Sequence, residues 1–261
     1  MLTAAHCVSY RSFDFSKPNE FPPANCLPEA TGDICIYRPE ALVVLAGTQE
    51  LLPQRGQRLL VKRIIVEDRY RTTANEHDIA LIELTEPTRL ASTMLLANEA
   101  FTSHAESASI LARAVGWGLV DEAYGPNSVF LREIDIPVQP LDRCRERHRL
   151  YEAWVTGQTW SDIDVDSMIT DNMVCLGWDN PPPQPTGEPY AGVVLPNVCF
   201  GDSGGFVGVK DRSRRWVQIG IPSWLRDCTT PFIYGVHTNV AAYRDWIAEI
   251  TGLVLPLPVL P

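Results

Sequence analysis

The stretch Gly201-Asp202-Ser203-Gly204-Gly205 places a single serine in a turn rich in glycine. Because glycine has no Cβ, a backbone of this composition can come close to a bound carbonyl group. A serine hydroxyl is a weak nucleophile near neutral pH, and it needs a neighbouring base, usually a histidine that a carboxylate orients. If Ser203 is a nucleophile, the rest of the sequence must supply both of these groups.

The same Gly-x-Ser-x-Gly spacing also fits the nucleophile elbow of the α/β-hydrolases, which would imply ester substrates. That elbow is followed by a helix, and its acid and histidine come later in the chain. Here Phe206-Val207-Gly208-Val209 predicts a strand, and His237 is the only histidine after Ser203. The order of the residues therefore disfavours the α/β-hydrolase alternative.

Two upstream blocks supply a histidine and an acid. Thr3-Ala4-Ala5-His6-Cys7 surrounds the histidine with small residues, and Asp78-Ile79-Ala80-Leu81 places the acid at the head of an apolar strand. Together with residues 201–205, and in this order, the blocks resemble the three signature motifs of the chymotrypsin/trypsin-like serine peptidases. Weaker matches extend the resemblance over most of the chain, at residues 115–118, 173–175, 223–224, 235–238 and 246–247.

The resemblance implies a reaction and the residues that perform it. Ser203 would be the nucleophile, His6 the general base and then acid, and Asp78 the carboxylate that fixes the His6 tautomer. The backbone N–H groups of Gly201 and Ser203 would form the oxyanion hole. The implied function is a serine endopeptidase that acts through an acyl-enzyme. The alternative is a noncatalytic homologue that serves as a binding module, but such homologues usually lose a triad residue, and all three are present.

The other histidines receive no catalytic role. His77 is the nearest rival base because it directly precedes Asp78. Adjacent side chains on a strand point to opposite faces, so His77 is not expected to share the direction of the acid. His104, His148 and His237 lie in no motif beyond the family-like strand that holds His237.

The resemblance also implies a primary specificity pocket beside the nucleophile. Its base would be Asn197, and its walls would be Ser223, Trp224, Leu225 and Gly235. Strict preference for Arg or Lys relies on an aspartate at the base, and Asn197 is neutral. Leu225 stands where the family usually has glycine and should narrow the entrance. We expect a preference for apolar side chains, with the alternative that the long loops reshape the pocket.

The residues before His6 bear on how the protein would be activated. Family members are typically made as zymogens, and cleavage frees an Ile or Val amine that pairs with the aspartate before the nucleophile, here Asp202. Neither such a segment nor a signal peptide nor a cysteine partner for Cys7 precedes His6. We therefore expect an N-terminal truncation that removes the first strands of the family fold and leaves the first barrel incomplete.

The seven cysteines lie in no Cys-x-x-Cys pair that would suggest zinc or redox chemistry. An odd number leaves at least one thiol unpaired. Cys7 is left over if the others pair as Cys26–Cys35, Cys144–Cys175 and Cys199–Cys228. Such disulfides, with the family resemblance, imply a secreted, extracellular protein, and the alternative is a reduced intracellular chain with seven thiols.

Composition limits the class of partner. The 261 residues are 45% hydrophobic and 21% charged, which is typical of a folded domain. The net charge of −10, without a Lys/Arg-rich run, disfavours nucleic acid and anionic membranes. We expect a monomer with protein or peptide substrates and protein inhibitors, with no cofactor and no metal.

Short apolar runs separated by turn residues predict strands at 42–46, 58–65, 78–84 and 130–138. Tyr243, Trp246, Ile247 and Ile250 repeat at helical spacing between Asn239, a candidate cap, and Gly252. A second helix is plausible at 141–154, and loops are expected at 12–38, 155–171 and 178–196.

With the resemblance, these patterns predict an all-β fold of two packed antiparallel Greek-key β-barrels and a C-terminal α-helix. The peptidase domain would span residues 1–251. An apolar, Pro-rich tail would follow at 252–261.

Overall fold

The computed structural model describes most of the chain, namely residues 1–11, 26–28, 34–52, 54–72, 75–89, 93–119, 126–179, 197–226, 228, 230 and 232–261. These residues divide into two compact units. The first comprises Met1–Thr93 with Val129–Leu131, and the second comprises Met94–Ser128 with Arg132–Pro261. Both units consist mainly of antiparallel β-sheet, which confirms the predicted fold class.

The first unit contains two small sheets. Its strands are β1 (Leu2–Thr3), β2 (Ser9–Arg11), β3 (Cys26–Pro28), β4 (Ile34–Tyr37), β5 (Val43–Ala46), β6 (Gln57–Val66) and β7 (Ala80–Leu84). The order β1-β7-β6-β5 forms a curled half-barrel, and β2-β4-β3 forms the other sheet. In β6, Leu59 and Val61 are buried whereas Leu60 is exposed, as expected for a strand with one face on a core. The half-barrel agrees with the predicted incomplete first barrel.

The second unit contains a closed barrel. Its strands are β8 (Leu95–Leu96), β9 (Leu111–Gly116), β10 (Arg132–Gln139), β11 (Met173–Leu176), β12 (Phe206–Lys210), β13 (Trp216–Trp224) and β14 (Gly235–Asn239). Six of them pair antiparallel in the order β12-β9-β10-β11-β14-β13, and β12 pairs with β13 to close the ring. The seventh strand, β8, adds to β13 in parallel. Closure pairs both edges of all six barrel strands.

Apolar side chains from several strands fill the barrel. Ile136 and Val138 of β10 pack with Val207 of β12 and Ile219 of β13 in one fully buried cluster. Asp135 of β10 is exposed, so the alternation expected from the sequence is present along this strand. The predicted strand was too long at its start, because Phe130 precedes β10 and is exposed.

The described residues form three α-helices, α1 (Glu99–Ser107), α2 (Leu141–Thr156) and α3 (Arg244–Thr251). The helices α2 and α3 correspond to the two predicted ones. Asn239 caps a short 3-10 turn that precedes α3, and Gly252 ends α3 in a left-handed conformation. None of these helices combines the length and the apolar character needed to cross a bilayer.

Helix α1 was missed because it is short and its apolar face is small. Of its nine residues only Phe101, Thr102 and Ala105 are buried. The local signal was its N-terminus, where the Asn98 side chain accepts a hydrogen bond from the Phe101 N–H at 3.1 Å and Glu99 follows the cap.

Two of the predicted loops contain regular structure. The prediction of a loop at 12–38 was wrong at 26–28 and 34–37, where β3 and β4 pair with each other and β4 pairs with β2. These strands are short, and their pairing is long-range in part, so periodicity alone could not reveal them. In the loop at 155–171, α2 continues to Thr156 and a 3-10 turn forms at Trp160–Asp162. The rest of the first loop, 12–25 and 29–33, lies outside the described residues, as does 180–196 of the third.

Three disulfides join neighbouring elements. Cys26–Cys35 links β3 to β4, Cys144–Cys175 links α2 to β11, and Cys199–Cys228 links the segment before β12 to the segment after β13. Cys7 is a free thiol in a half-buried position.

The buried Ile136 and the exposed Leu111, on paired strands of the same barrel, form a matched test of the core. Ile136→Ala should lower the free energy of unfolding by about 2–5 kcal/mol, because it removes apolar contacts and leaves a cavity. Leu111→Ala should change it by less than about 0.5 kcal/mol. Urea unfolding monitored by circular dichroism measures both values. Equal losses for the two variants would contradict the placement of the core.

His148 of α2 should make stability depend on pH. Burial lowers its pKa to about 4, although its Nε2 lies 3.0 Å from the Tyr234 carbonyl oxygen. His148 becomes protonated near pH 6.5 in the unfolded chain but only near pH 4 in the folded chain. The unfolded state therefore binds more protons between these values, and the free energy of unfolding falls as pH drops through this window. His148→Gln should reduce the slope of the profile by about one proton in urea titrations between pH 7 and 4, and the buried His237 should supply the slope that remains. An unchanged profile in His148→Gln would refute this origin.

Candidate active site

A first group of candidate residues depends on the pairing of β1 with β7. This antiparallel pair places Thr3 opposite Ala80. His6 follows Thr3 in a 3-10 turn at Ala5–Cys7, and Asp78 lies just before β7. The register therefore brings together two residues that are 72 positions apart in the sequence.

Asp78 binds His6 through both carboxylate oxygens. The His6 backbone N–H donates to Oδ1 at 2.9 Å, and the Nδ1 of the ring lies 2.7 Å from Oδ2. The Asp78 side chain is fully buried, whereas the side chain of His6 is 30% exposed. With Nδ1 donating its proton to the carboxylate, Nε2 is left as the basic nitrogen of the ring.

The surroundings of His6 shift its pKa. Burial alone would lower the pKa of the imidazole, but its hydrogen bonds with Asp78 and Cys7 and the charge of Asp78 outweigh burial and raise the pKa. The Cys7 Sγ lies 3.6 Å from His6 Nε2. The arrangement thus stabilises the imidazolium form of His6, which a general base must adopt after it accepts a proton.

The backbone of His77 differs from the expectation. Neither His77 nor Asp78 lies on a strand, and His77 has a positive φ of 55° in the turn before β7. Its side chain faces Glu76, with Nε2 3.6 Å from the carboxylate. The turn, rather than strand alternation, is what directs His77 and Asp78 to different partners.

A second group of candidate residues lies in the turn that precedes β12. Gly201 and Gly204 adopt φ values of 92° and 75°, which disfavour residues with a Cβ. The Gly204 N–H donates to the Pro222 carbonyl at 2.9 Å, and the Gly205 N–H donates to the Asp202 carbonyl at 3.1 Å. These bonds fix Ser203 at the tip of the turn, in a partly exposed position.

The same turn presents two backbone donors. Within the described part of the chain, the N–H groups of Gly201 and Ser203 form no hydrogen bond. A Cβ on Gly201 would lie 2.9 Å from Asn127 Nδ2 and 3.1 Å from Gly118 Cα, so only glycine fits here without a shift. Two adjacent donors of this kind can bind an oxyanion.

Asp202 is held by backbone groups. Its Oδ1 accepts a hydrogen bond from the Gly118 N–H at 2.8 Å, and its Oδ2 accepts one from the Cys199 N–H at 3.0 Å. Burial raises the pKa of Asp202, and these two bonds act in the opposite direction. A Cβ on Gly116 would lie 2.0 Å from Asp202 Oδ1, which explains the need for glycine in the Gly116-Trp117-Gly118 motif.

A small pocket opens beside Ser203. Its lining includes four of the five predicted pocket residues, which are Ser223, Trp224, Leu225 and Gly235. Asn197, the fifth, does not line it directly, but its Oδ1 would lie 3.8 Å from a Cβ placed on Gly235. The predicted walls are thus brought together next to Ser203.

Sequence reasoning missed His237 as a residue of this pocket. The β13–β14 pairing places His237 opposite Pro222, and both residues line the cavity. The sequence did contain a signal for this role. His237 lies in the same strand as the predicted wall residue Gly235, two positions further on and therefore on the same face.

The predicted residues therefore fall into two groups. His6 and Asp78 lie in the first unit, where they are hydrogen-bonded to each other. Ser203, Gly201, Asp202 and the pocket residues lie in the second. In the first group, the Asp78 carboxylate orients the His6 ring and stabilises its protonated form. The second group places the Ser203 hydroxyl near two backbone N–H donors and a pocket.

The amino-acid sequence is similar to those of known serine proteases. A protein-family model described as Trypsin matches residues 30–247. The chain is 27% identical over 256 residues to mannan-binding lectin serine protease 1 of Mus musculus, which is 97% of this chain and 30% of that protein. It is 28% identical over 222 residues to Trypsin eta of Drosophila erecta, which is 84% of this chain and 72% of that protein. The chain thus spans less than a third of the mouse relative.

Replacement of Asp78 tests the electrostatics of the histidine. Asp78→Asn keeps the shape of the side chain and removes its charge, so the pKa of His6 should fall by about 1–3 pH units. Titration of the His6 ring by NMR with ¹⁵N-labelled histidine measures the change. The exposed Asp68 gives the control, since Asp68→Asn should leave the pKa of His6 unchanged. A His6 pKa that does not move in Asp78→Asn would contradict the role of the carboxylate.

Proposed function

The chain belongs to the trypsin family, and from that premise we propose that it is a serine endopeptidase whose catalytic triad is Ser203, His6 and Asp78. The observation that carries the proposal is the double hydrogen bond between His6 and the buried Asp78 carboxylate. It would hold the tautomer that leaves Nε2 as the basic nitrogen of the ring, beside Cys7 Sγ at 3.6 Å. A noncatalytic homologue would have no need to retain this pair together with Ser203.

Acylation would begin with attack of Ser203 Oγ on the carbonyl carbon of the scissile bond, while His6 Nε2 takes the hydroxyl proton. The tetrahedral intermediate then collapses, and His6 returns the proton to the departing amine. Deacylation repeats the sequence with water as the nucleophile, and it yields a carboxylic acid and free Ser203. The imidazole thus transfers one proton in each half of the reaction.

The Gly201–Gly205 turn would stabilise the intermediates. The N–H groups of Gly201 and Ser203 would donate to the oxygen that becomes negatively charged, and their fixed positions mean that little reorganisation is needed. Loss of one such donor typically costs a factor of about 10²–10³ in rate. The positive φ at Gly201 and its contact with Asn127 support a turn of fixed shape.

Asp78 would act through charge. Each proton transfer creates an imidazolium, and the carboxylate that raises the pKa of His6 stabilises this cation. Because Asp78 is buried, water screens its charge little. Asp78 would also keep the ring from rotating.

We also propose that Asp202 takes part in activation. In the family, an amine freed by zymogen cleavage pairs with the aspartate before the nucleophile, and Asp202 holds that position. Its carboxylate is half-exposed in this structure and bound only through neutral N–H groups among the described residues. An ammonium group would add a charged partner and would reorder the segment that carries the oxyanion donors.

The protein would act outside the cell on proteins or peptides, as the three disulfides and the family membership suggest. The proposed substrate-binding residues are Asn197, Ser223, Trp224, Leu225 and Gly235, which lie at or near the pocket beside Ser203.

A fluorophosphonate probe tests the nucleophile. The folded, activated protein should be labelled at Ser203, because only a serine with an activating base reacts readily with the probe. Ser203→Ala should abolish the labelling, and Asp78→Asn should slow it by a factor on the order of 10⁴. Intact-protein mass spectrometry and peptide mapping measure the site and the rate.

Ser213 offers the matched control, since it lies in the exposed turn between β12 and β13. Ser213→Ala should be labelled like the unchanged protein. Failure to label a folded, activated sample would reject the endopeptidase proposal.

A further inference from the structure

The pocket beside Ser203 contains a buried polar group that the proposed mechanism does not use. His237 is 1% exposed. Among the described residues, neither Nδ1 nor Nε2 of its ring has a hydrogen-bond partner. A buried polar atom without a partner costs about 1–3 kcal/mol. A ligand that supplied the missing partners would recover part of this cost.

The ring of His237 is directed toward the pocket interior. A Cβ placed on Gly235, which also lines the pocket, would lie 3.2 Å from His237 Nε2. The same Cβ would lie 3.8 Å from Asn197 Oδ1. The absence of a side chain at Gly235 therefore leaves a space that both polar groups border.

Asn197 borders this space through its Oδ1. Its Oδ1 already accepts a hydrogen bond from the Val198 N–H at 2.8 Å. The amide oxygen is thus oriented, and the Nδ2 group remains as a hydrogen-bond donor. His237 and Asn197 together offer donors and one acceptor.

The remaining lining disfavours a charged occupant. Val198, Pro222, Trp224 and Leu225 contribute apolar walls, and no described lining residue is an acid, a lysine or an arginine. Burial lowers the pKa of His237 to about 3, so the ring is neutral near pH 7. Among these described lining residues, a substrate cation would find no carboxylate and a substrate carboxylate would find no cation.

The lining also disfavours a purely apolar occupant, because an aliphatic side chain would leave both nitrogens of His237 unpaired. A carboxamide can accept a hydrogen bond with its oxygen and donate one with its nitrogen, which matches a neutral imidazole. The interior of the pocket in this structure has about 10 Å³, room for roughly one water-sized group, so the lining must open for a carboxamide to enter. The small interior favours the short side chain of asparagine over that of glutamine.

We propose that this pocket selects asparagine on the acyl side of the cleaved bond, with His237 and Asn197 hydrogen-bonded to its carboxamide. The inference rests on the proposed endopeptidase function and replaces the apolar preference expected from the sequence. His237 is then a specificity-determining residue, since it touches the substrate side chain without taking part in bond cleavage.

Binding to the Ser203→Ala protein tests this pocket without cleavage. Two short peptides would be identical except for a C-terminal Asn or Leu, side chains of nearly equal shape. The Asn peptide should bind at least tenfold more tightly and shift the ¹⁵N resonances of the His237 ring. Equal binding of the two peptides, or tight binding of the Asn peptide with unchanged His237 resonances, would overturn the proposal.

Variants of His237 give the matched control. In Ser203→Ala/His237→Phe, the preference for Asn over Leu should fall at least tenfold, whereas Ser203→Ala/His237→Gln should keep part of it. A preference that persists in the Phe variant would also overturn the proposal. Should the Phe variant not fold, the ring resonances in the protein with intact His237 decide the question.

Cleavage assays separate this inference from the proposed function. With active protein, kcat/KM should be at least tenfold higher for a substrate with Asn than for otherwise identical substrates with Leu, Asp or Lys. A protein that fails to react with the fluorophosphonate but binds the Asn peptide selectively refutes the endopeptidase and supports the pocket. A protein that reacts but cleaves the Leu substrate as well as the Asn substrate refutes the pocket alone.

Discussion

The pairing of β12 with β13 is the constraint on which most of the second unit depends. It closes six antiparallel strands into a ring and buries the cluster that contains Ile136, Val207 and Ile219. The Ser203 turn lies directly before β12, and the pocket wall at Ser223 and Trp224 ends β13. The hydrogen bond from the Gly204 N–H to the Pro222 carbonyl ties the turn to this wall. A barrel strand on each side thus fixes Ser203 relative to the adjacent pocket.

Three buried or half-buried polar groups are stabilised in different ways, and the differences indicate their uses. Asp78 is paired with a titratable residue, so its charge acts on His6. Asp202 is held by two backbone N–H groups, so its interactions fix a loop. His237 has no partner among the described residues and borders a cavity, so its hydrogen-bonding capacity is available to a ligand. Burial removes each of these groups from water at a cost in free energy, and the interactions that offset this cost differ among the three groups.

Glycine at several positions allows these polar groups to be placed. Gly116 and Gly118 leave room for the Asp202 carboxylate, and Gly235 leaves room beside His237 and Asn197. In the first case the space is filled by a side chain of the same chain. In the second it remains as a cavity. The same absence of a Cβ thus supports internal packing at one place and borders a cavity at the other.

The sequence by itself determined the family, the order of the three motifs, the strands β5, β6, β7, β10 and β12 and the helices α2 and α3, because these depend on residue identity and local periodicity. It did not reveal α1, whose apolar face is small, or β3 and β4, which are short. It assigned no role to His237, because no local pattern distinguishes a pocket histidine from one in a core. Only the tertiary structure decided these points, and also that His6 meets Asp78 across 72 positions. The physical reason is that strand register, such as Thr3 opposite Ala80 or Pro222 opposite His237, arises from long-range pairing and burial rather than from neighbouring residues.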